Sequence, residues 1–123
     1  MVPECGTYRT DHSAPTYFQE TTLSSFRSCF EIVHFAFRPD IPFPRQVEAM
    51  HALGRWAATQ PGFVTRQSYH DSRQARWTDV VEWSSLGQAT AAMERSQREP
   101  ALASVMALIE PSTVHAGHFE KEL

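Results

Sequence analysis

Two residues of this 123-residue sequence have side chains suited to acid–base catalysis in a buried site. His34 lies in the apolar run 29–38, and Asp79 lies in the run 77–83. If both runs are strands and alternation places both side chains on one sheet face, the imidazole would act as a general base that the carboxylate orients. A water-poor cavity would shift the pKa values of both groups, as is common at functional sites. The alternative is a purely structural His–Asp or Arg–Asp pair at the sheet centre.

Arginine and tryptophan side chains on the same runs provide candidate substrate contacts. Arg66 would hold a substrate anion, because its guanidinium pairs bidentately with carboxylates. An ion pair of Arg66 with Asp79 or Glu82 on the adjacent strand explains this arginine equally well. Trp77 and Trp83 would stack on a planar aromatic ligand, or they would simply form part of the core.

The remaining candidates are aromatic and histidine side chains near strand ends. His115 and His118 do not predict a metal site, because residues three apart on a strand point to opposite faces. One of the two can enter the cavity, and His118 is retained as a candidate substrate contact. A cyclase would instead need two converging polar groups, such as His34 with Tyr69 or with His70. Alternation places Tyr69 and His70 on opposite faces, so only one of them can contribute.

The composition is that of a folded single domain without a charged partner. Apolar residues make up 41% and charged residues 20% of the chain, and the net charge of −3 gives no reason to expect nucleic acid or an anionic membrane. No basic segment followed by an apolar run begins the chain, and no apolar segment approaches the ~20 residues of a membrane span. A cytoplasmic location is therefore expected. No phosphate-binding loop or dinucleotide motif is present, and no bound cofactor or metal is expected.

Periodicity divides the sequence into an arm and one domain. Residues 1–28 are rich in Ser, Thr and Pro and are interpreted as an irregular N-terminal arm, with the domain spanning 29–123. Within the domain, period-two and helical patterns alternate, and Ser84 or Ser85 is a helix N-cap. The predicted elements are a strand over 29–38, a helix over 44–60, strands over 63–70 and 77–83, helices over 86–97 and 101–109, and a strand over 113–120.

This order predicts a ferredoxin-like βαββαβ fold, an α+β architecture with a four-stranded antiparallel sheet. The helical crossovers of this fold can cover only one face of the four-stranded sheet. The other face is predicted to carry His34 with apolar neighbours, and it is too apolar to remain in water. A second copy packed sheet to sheet would cover it, giving a homodimeric α/β barrel. The residues assigned to that inner face are Ile32, His34, Ala36, Trp77, Asp79, Val81 and Trp83, whereas Val80 is assigned to the helix side.

Three short motifs resemble one known family. Val81-Glu82-Trp83-Ser84-Ser85 followed by Ala89-Thr90-Ala91-Ala92-Met93, together with Pro61-Gly62-Phe63, is similar to the antibiotic biosynthesis monooxygenase family of the dimeric α/β-barrel superfamily. The resemblance covers about residues 30–119. It implies a homodimer, and it implies an oxidation of a planar aromatic or polyketide-like compound without a bound metal or flavin. The superfamily also includes haem-degrading enzymes and cyclases.

The sequence also departs from that family at functional positions. It contains no asparagine, whereas the cofactor-independent monooxygenases and haem degraders use an active-site asparagine. No histidine lies between Ser84 and Glu110, where the haem degraders keep their proximal ligand, so haem degradation is disfavoured. The leading hypothesis is a monooxygenase-like enzyme. The alternatives are a non-catalytic ligand-binding or assembly module of the same fold and a cyclase-type enzyme.

Overall fold

The computed structural model describes residues 27–123, so most of the predicted arm lies outside the described residues. The elements follow the predicted order, with one additional short turn before the last strand. They are β1 (Cys29–Phe35), α1 (Phe43–Ala57), β2 (Phe63–Asp71), β3 (Arg76–Trp83), α2 (Leu86–Gln97), α3 (Pro100–Met106), a 3-10 turn (Pro111–Thr113) and β4 (His115–Phe119).

The four strands form one antiparallel sheet in the order β2-β3-β1-β4. This topology confirms the predicted α+β ferredoxin-like fold. The first and last strands are shorter than predicted. Beyond Phe35 only an isolated bridge between Phe37 and Ile109 continues β1, and the 3-10 turn that begins at Pro111 delays the start of β4.

Local sequence signals set the helix ends. Ser85 is the N-cap of α2, and its side chain accepts a hydrogen bond from the backbone amide of Gln88 at 3.1 Å. Gly62 has a φ of 87° and carries the chain from α1 into β2, a conformation that glycine adopts without steric cost. No helix among residues 27–123 is long and apolar enough to cross a bilayer.

The register between β1 and β3 decides which side chains share a face. Val33 is paired with Asp79, and His34 is paired with Thr78. Directly paired residues lie on the same face of an antiparallel sheet, so the odd-numbered residues of both strands lie together. The helices pack on this odd-numbered side, which we call the helix face, and the even-numbered side is the outer face.

The predicted assignment of faces on β3 is therefore wrong. Trp77, Val81 and Trp83 are buried beneath the helices, and Val80 lies on the outer face with His34. Both faces of β1 are largely apolar. The composition of β1 therefore did not show whether the odd-numbered or the even-numbered residues of β3 lie on the same face as His34. A shift of one residue in register exchanges the two faces completely.

A β-bulge at the start of β2 changes its alternation as well. Phe63 is paired with Trp83, but Thr65 is paired with the adjacent Glu82, so the phase shifts by one residue between them. Counting alternation from Phe63 would place Arg66 on the outer face. The bulge instead turns Arg66 toward the helices.

The helix face of the sheet carries two packed apolar clusters, one near each end of β3. Trp83 belongs to the first cluster and Trp77 to the second. The buried members are Cys29, Ala57, Val81, Trp83, Ala89 and Ala92 in the first, and Phe35, Phe37, Ala49, Met50, Trp77 and Val105 in the second.

Candidate ligand-binding cleft

A cavity of about 660 Å³ lies between the helix face of the sheet and the three helices. We call it the sheet–helix cleft. Its volume falls within the range of about 300–1,000 Å³ that is usual for small-molecule sites. Most of its wall is apolar, with aromatic side chains on both the sheet and the helix side. Lining residues include Val33, Phe35, Leu53, Trp56, Val81 and Trp83.

Glu31 is an acidic side chain on the otherwise apolar β1 wall of this cleft. The indole Nε1 of Trp83 donates a hydrogen bond to Glu31 Oε1 at 3.0 Å. Burial raises the pKa of Glu31, the Trp83 hydrogen bond acts in the opposite direction, and the nearby negative charge of Asp79 raises that pKa further. Glu31 therefore holds its proton more tightly than an exposed glutamate does, a kind of perturbation that is common at functional sites.

His118 lies beside this carboxyl on the neighbouring strand. The β1–β4 register pairs Glu31 with His118, and His118 Nε2 is 4.0 Å from Glu31 Oε2. His115 is paired with His34 and shares the outer face with it. Of the two C-terminal histidines, His118 is thus the one on the helix face, and its side chain is only 9% exposed.

Arg66 and Asp79 form a tight ion pair on the wall of the cleft. Arg66 Nε is 2.8 Å from Asp79 Oδ1, and the two side chains are only 13% and 14% exposed. Ser68 Oγ donates a second hydrogen bond to Asp79 Oδ1 at 2.7 Å, and Arg66 Nη1 donates to the carbonyl of Met50 at 2.9 Å. The sequence left open whether Arg66 binds a substrate anion or pairs with an acidic neighbour, and the structure shows the pair with Asp79.

Gly54 of α1 makes room for this arginine. A Cβ atom at position 54 would collide with Arg66 Nη1. Because that nitrogen is held by the Met50 carbonyl, it cannot move aside without losing the hydrogen bond. Helix α1 and strand β2 are therefore fitted to one another around the guanidinium group.

The predicted pairing of His34 with Asp79 is wrong. His34 lies on the outer face, where its Nδ1 is 2.8 Å from Thr78 Oγ1, while Asp79 lies on the helix face. The physical reason is the β1–β3 register, which places the two residues on opposite sides of the sheet. An imidazole and a carboxylate in this arrangement cannot act on one bound molecule.

The other predicted contacts are also distributed between the two faces. Trp83 lines the cleft, whereas Trp77 packs against Phe43 and His70, with ring centroids 6.0 and 4.7 Å away. Tyr69 is 58% exposed and is paired with Thr78, so it lies on the outer face. The structure thus brings Arg66, Asp79 and Trp83 to one cleft and leaves Tyr69 and Trp77 away from it.

Glu31 is the residue that sequence reasoning passed over. Its signal was available, because Glu31 alternates with Val33 and Phe35 on the apolar strand β1. A charged residue in such a stripe is buried only when hydrogen-bonded or paired. What the sequence could not show is that the Trp83 indole reaches it.

Among residues 27–123, no three His, Cys, Asp or Glu side chains are grouped as metal ligands.

Comparisons with known proteins identify the fold class. No family model matches the sequence, and no curated protein is significantly similar to it. SnoaB, a cofactor-independent oxygenase from Streptomyces nogalater, is similar in structure with a TM-score of 0.56 at 15% identity, covering 79% of this chain and 95% of that one. A Bordetella bronchiseptica protein with a proposed assignment as an antibiotic biosynthesis monooxygenase gives a TM-score of 0.61 at 14% identity, covering 79% and 99%.

A third similar structure is a dimeric ferredoxin-like protein of unknown function from Jannaschia sp. CCS1. It gives a TM-score of 0.57 at 14% identity, covering 76% of this chain and 99% of that one. The predicted resemblance to antibiotic biosynthesis monooxygenase-like proteins is thus confirmed at the level of the fold. At these identities the likeness extends to the fold alone, and the site must be argued from this chain's own residues.

The Arg66–Asp79 pair predicts a large loss of stability when one partner is removed. We expect Asp79→Asn to lower the free energy of unfolding by about 3 kcal/mol, because it leaves a buried guanidinium without its counter-charge. Urea denaturation measures this loss. Glu48→Gln is the matched control, since the Arg45–Glu48 pair is exposed and contributes at most about 1 kcal/mol. Equal effects of the two substitutions would contradict a structural role for the buried pair.

The raised pKa of Glu31 predicts a stability that depends on pH. The folded state holds this proton more tightly than the unfolded state, so Glu31 destabilises the fold as the pH rises above the ordinary carboxyl range of about 4.3. We therefore expect Glu31→Gln to gain stability relative to the wild type as the pH is raised from about 4 to 7. Thermal melts across this range measure the difference, with Glu48→Gln as the control. A difference that stays constant with pH would show that Glu31 titrates normally.

Proposed function

We propose that the protein is a cofactor-independent, monooxygenase-like enzyme that acts on a planar aromatic compound bound in the sheet–helix cleft. The observation that carries this proposal is a single one: an apolar cavity with aromatic walls contains a carboxyl group whose pKa is raised by burial. The fold shared with a cofactor-independent oxygenase supports the reaction class. No residue role is transferred from that protein.

Glu31 is the general base in this proposal. The ligand would lie in the cleft beside Trp56, and its hydroxyl would face the carboxylate. A base with a raised pKa removes a phenolic proton more effectively than an ordinary glutamate does, provided that it is ionised before the ligand reacts. The Trp83 Nε1 hydrogen bond fixes the orientation of the carboxylate, which has further acceptor positions for the ligand hydroxyl.

The chemistry balances with dioxygen as the oxidant. Deprotonation gives an electron-rich aryloxide, which can be oxidised by dioxygen directly. One oxygen atom becomes bonded to a ring carbon in place of that carbon's hydrogen. This hydrogen and the hydroxyl hydrogen combine with the second oxygen atom as water. A naphthol and one dioxygen molecule thus give a naphthoquinone and one water molecule. This chain contributes the apolar cavity, the orientation of the ring and the base.

The test is dioxygen consumption with a panel of naphthols and larger hydroxylated polycyclic compounds. We expect turnover by the wild type, and we expect Glu31→Gln to lower kcat by about 100-fold, a typical contribution of general base catalysis. Binding measured by tryptophan fluorescence should change little. The control is Glu48→Gln, which lies on the exposed side of α1 and should keep full activity.

Two outcomes would contradict the proposal in different ways. Binding without dioxygen consumption by any compound would favour the non-catalytic ligand-binding module. Turnover that survives Glu31→Gln would show that this carboxylate is not the base. Quinone formation measured by absorbance gives an independent readout of the same step.

We also propose that the protein is a homodimer through the outer face of the sheet. Tyr69 and Phe119 on this face are 58% and 52% exposed, and His34, Thr78 and Val80 lie between them. An exposed sheet face of this kind is typically an interaction surface. The similar Jannaschia protein is described as dimeric, which supports a dimer of this chain.

Light scattering at micromolar concentration should give the mass of two chains. Phe119→Arg should weaken the dimer by placing a charge in the interface, whereas Leu123→Arg adds the same charge at the exposed C-terminal residue and should leave it intact. A wild-type monomer would contradict the proposed interface. Equal weakening by both substitutions would place the interface elsewhere.

A further inference from the structure

The charges that line the sheet–helix cleft are unbalanced. Four ionisable residues line it: Glu31, Asp79 and Glu99 are acidic, and Arg66 is basic. The ion pair neutralises Arg66 with Asp79, so the negative charges of Glu31 and Glu99 remain without a basic partner on the cleft wall. His118 adjoins Glu31 from β4, but it is not part of the cleft wall.

Arg66 is not available to a ligand anion. Its Nε is held by Asp79 and its Nη1 by the Met50 carbonyl. Its third nitrogen, Nη2, is enclosed by the protein and has no hydrogen-bond partner among residues 27–123. A carboxylate in the cleft could reach Nη2 only if the packing around the guanidinium opened. The basic group that the sequence suggested as an anion clamp is therefore occupied within the fold.

The accessible polar group of the cleft is instead a hydrogen-bond acceptor. Glu31 lies on the cleft wall, and Trp83 Nε1 occupies one acceptor position on Oε1. An ionised carboxylate has about four such positions, so acceptor capacity remains toward the cavity. Glu99 caps α3 by accepting a hydrogen bond from the backbone amide of Ala101 at 3.3 Å. Its carboxylate also lies on the cleft wall and adds a second negative charge there.

We infer that the sheet–helix cleft selects an aromatic ligand whose polar end donates a hydrogen bond to Glu31 and carries no negative charge. A hydroxyl or an ammonium group fulfils this condition, whereas a carboxylate or a sulfonate brings like charges together in a cavity of low dielectric. The partly buried indole of Trp56 on the cleft wall adds attraction for a cationic head through its π-face. This inference rests on the proposed function for the location of the ligand, and it adds a rule for the ligand's charge.

Three matched ligands test the rule: a naphthol, a naphthylmethylamine and a naphthoate with the substituent at the same ring position. Titration calorimetry with the intact protein at neutral pH measures their Kd values. We expect the naphthol and the amine to bind at least about tenfold more tightly than the naphthoate, because repulsion acts on the naphthoate alone. Tighter binding of the amine would assign an ammonium head to the ligand, and tighter binding of the naphthol would assign a hydroxyl head.

Variants separate the charge of Glu31 from its shape. Glu31→Gln keeps the volume and removes the charge, so the preference over naphthoate should fall several-fold. Glu99→Gln removes the other acidic charge without changing Glu31, and it should reduce the preference in the same direction. Glu48→Gln should retain the wild-type preference, because Glu48 lies outside the cleft. Thermal melts verify that each variant is folded.

The outcomes distinguish this rule from the proposed function. Naphthoate binding as tight as, or tighter than, naphthol would overturn the charge rule and leave the cleft as the binding site. Loss of binding for all three ligands would overturn the proposed site and the rule together. A preference that is unchanged in both Glu31→Gln and Glu99→Gln would show that the selectivity arises elsewhere.

Discussion

The pairing of β1 with β3 at the centre of the sheet is the constraint on which the rest of the cleft depends. It sets Val33 opposite Asp79 and His34 opposite Thr78, and thereby sends Glu31, Asp79 and Trp83 toward the helices. Shifting this pairing by one residue would put His34 and Trp83 on the same face, so that either His34 would be buried or Trp83 would be exposed. The burial of two tryptophans of β3 beneath the helices makes such a shift very unfavourable. The positions of the ionisable groups thus follow from how the apolar groups are buried.

Within that frame, the cleft contains two kinds of buried charge. Asp79 is fully compensated, since Arg66 and Ser68 both reach it and Gly54 makes space for the guanidinium. Glu31 is only partly compensated, by an indole hydrogen bond and a histidine at 4.0 Å. Protein interiors rarely retain such a carboxyl without pairing or function. The contrast between the two carboxyl groups separates the structural pair from the proposed base.

This chain shares its fold with the similar structures but little of their sequence. The similarity covers more than three quarters of this chain and nearly all of each neighbour, so the shared fold extends over most of both chains. Identities of 14–15% leave the lining of the cavity free to differ. The side chains that line a cavity, and not the fold around it, decide what binds there. The acidic character of this cleft is therefore a property of this chain.

Local sequence patterns determined the elements of this protein, and tertiary packing decided its site. Period-two runs, the proline and glycine breaks and the Ser85 cap are all local, so the element order and the ferredoxin-like fold could be predicted from them. The mutual placement of His34, Asp79 and Glu31 could not, because it depends on register and on a β-bulge after Phe63, both of which arise from contacts between distant segments. Both faces of β1 are apolar, so alternation offered two equivalent arrangements of the sheet. Only the burial of Trp77 and Trp83 against the helices distinguished them, and it placed Glu31 in the cleft.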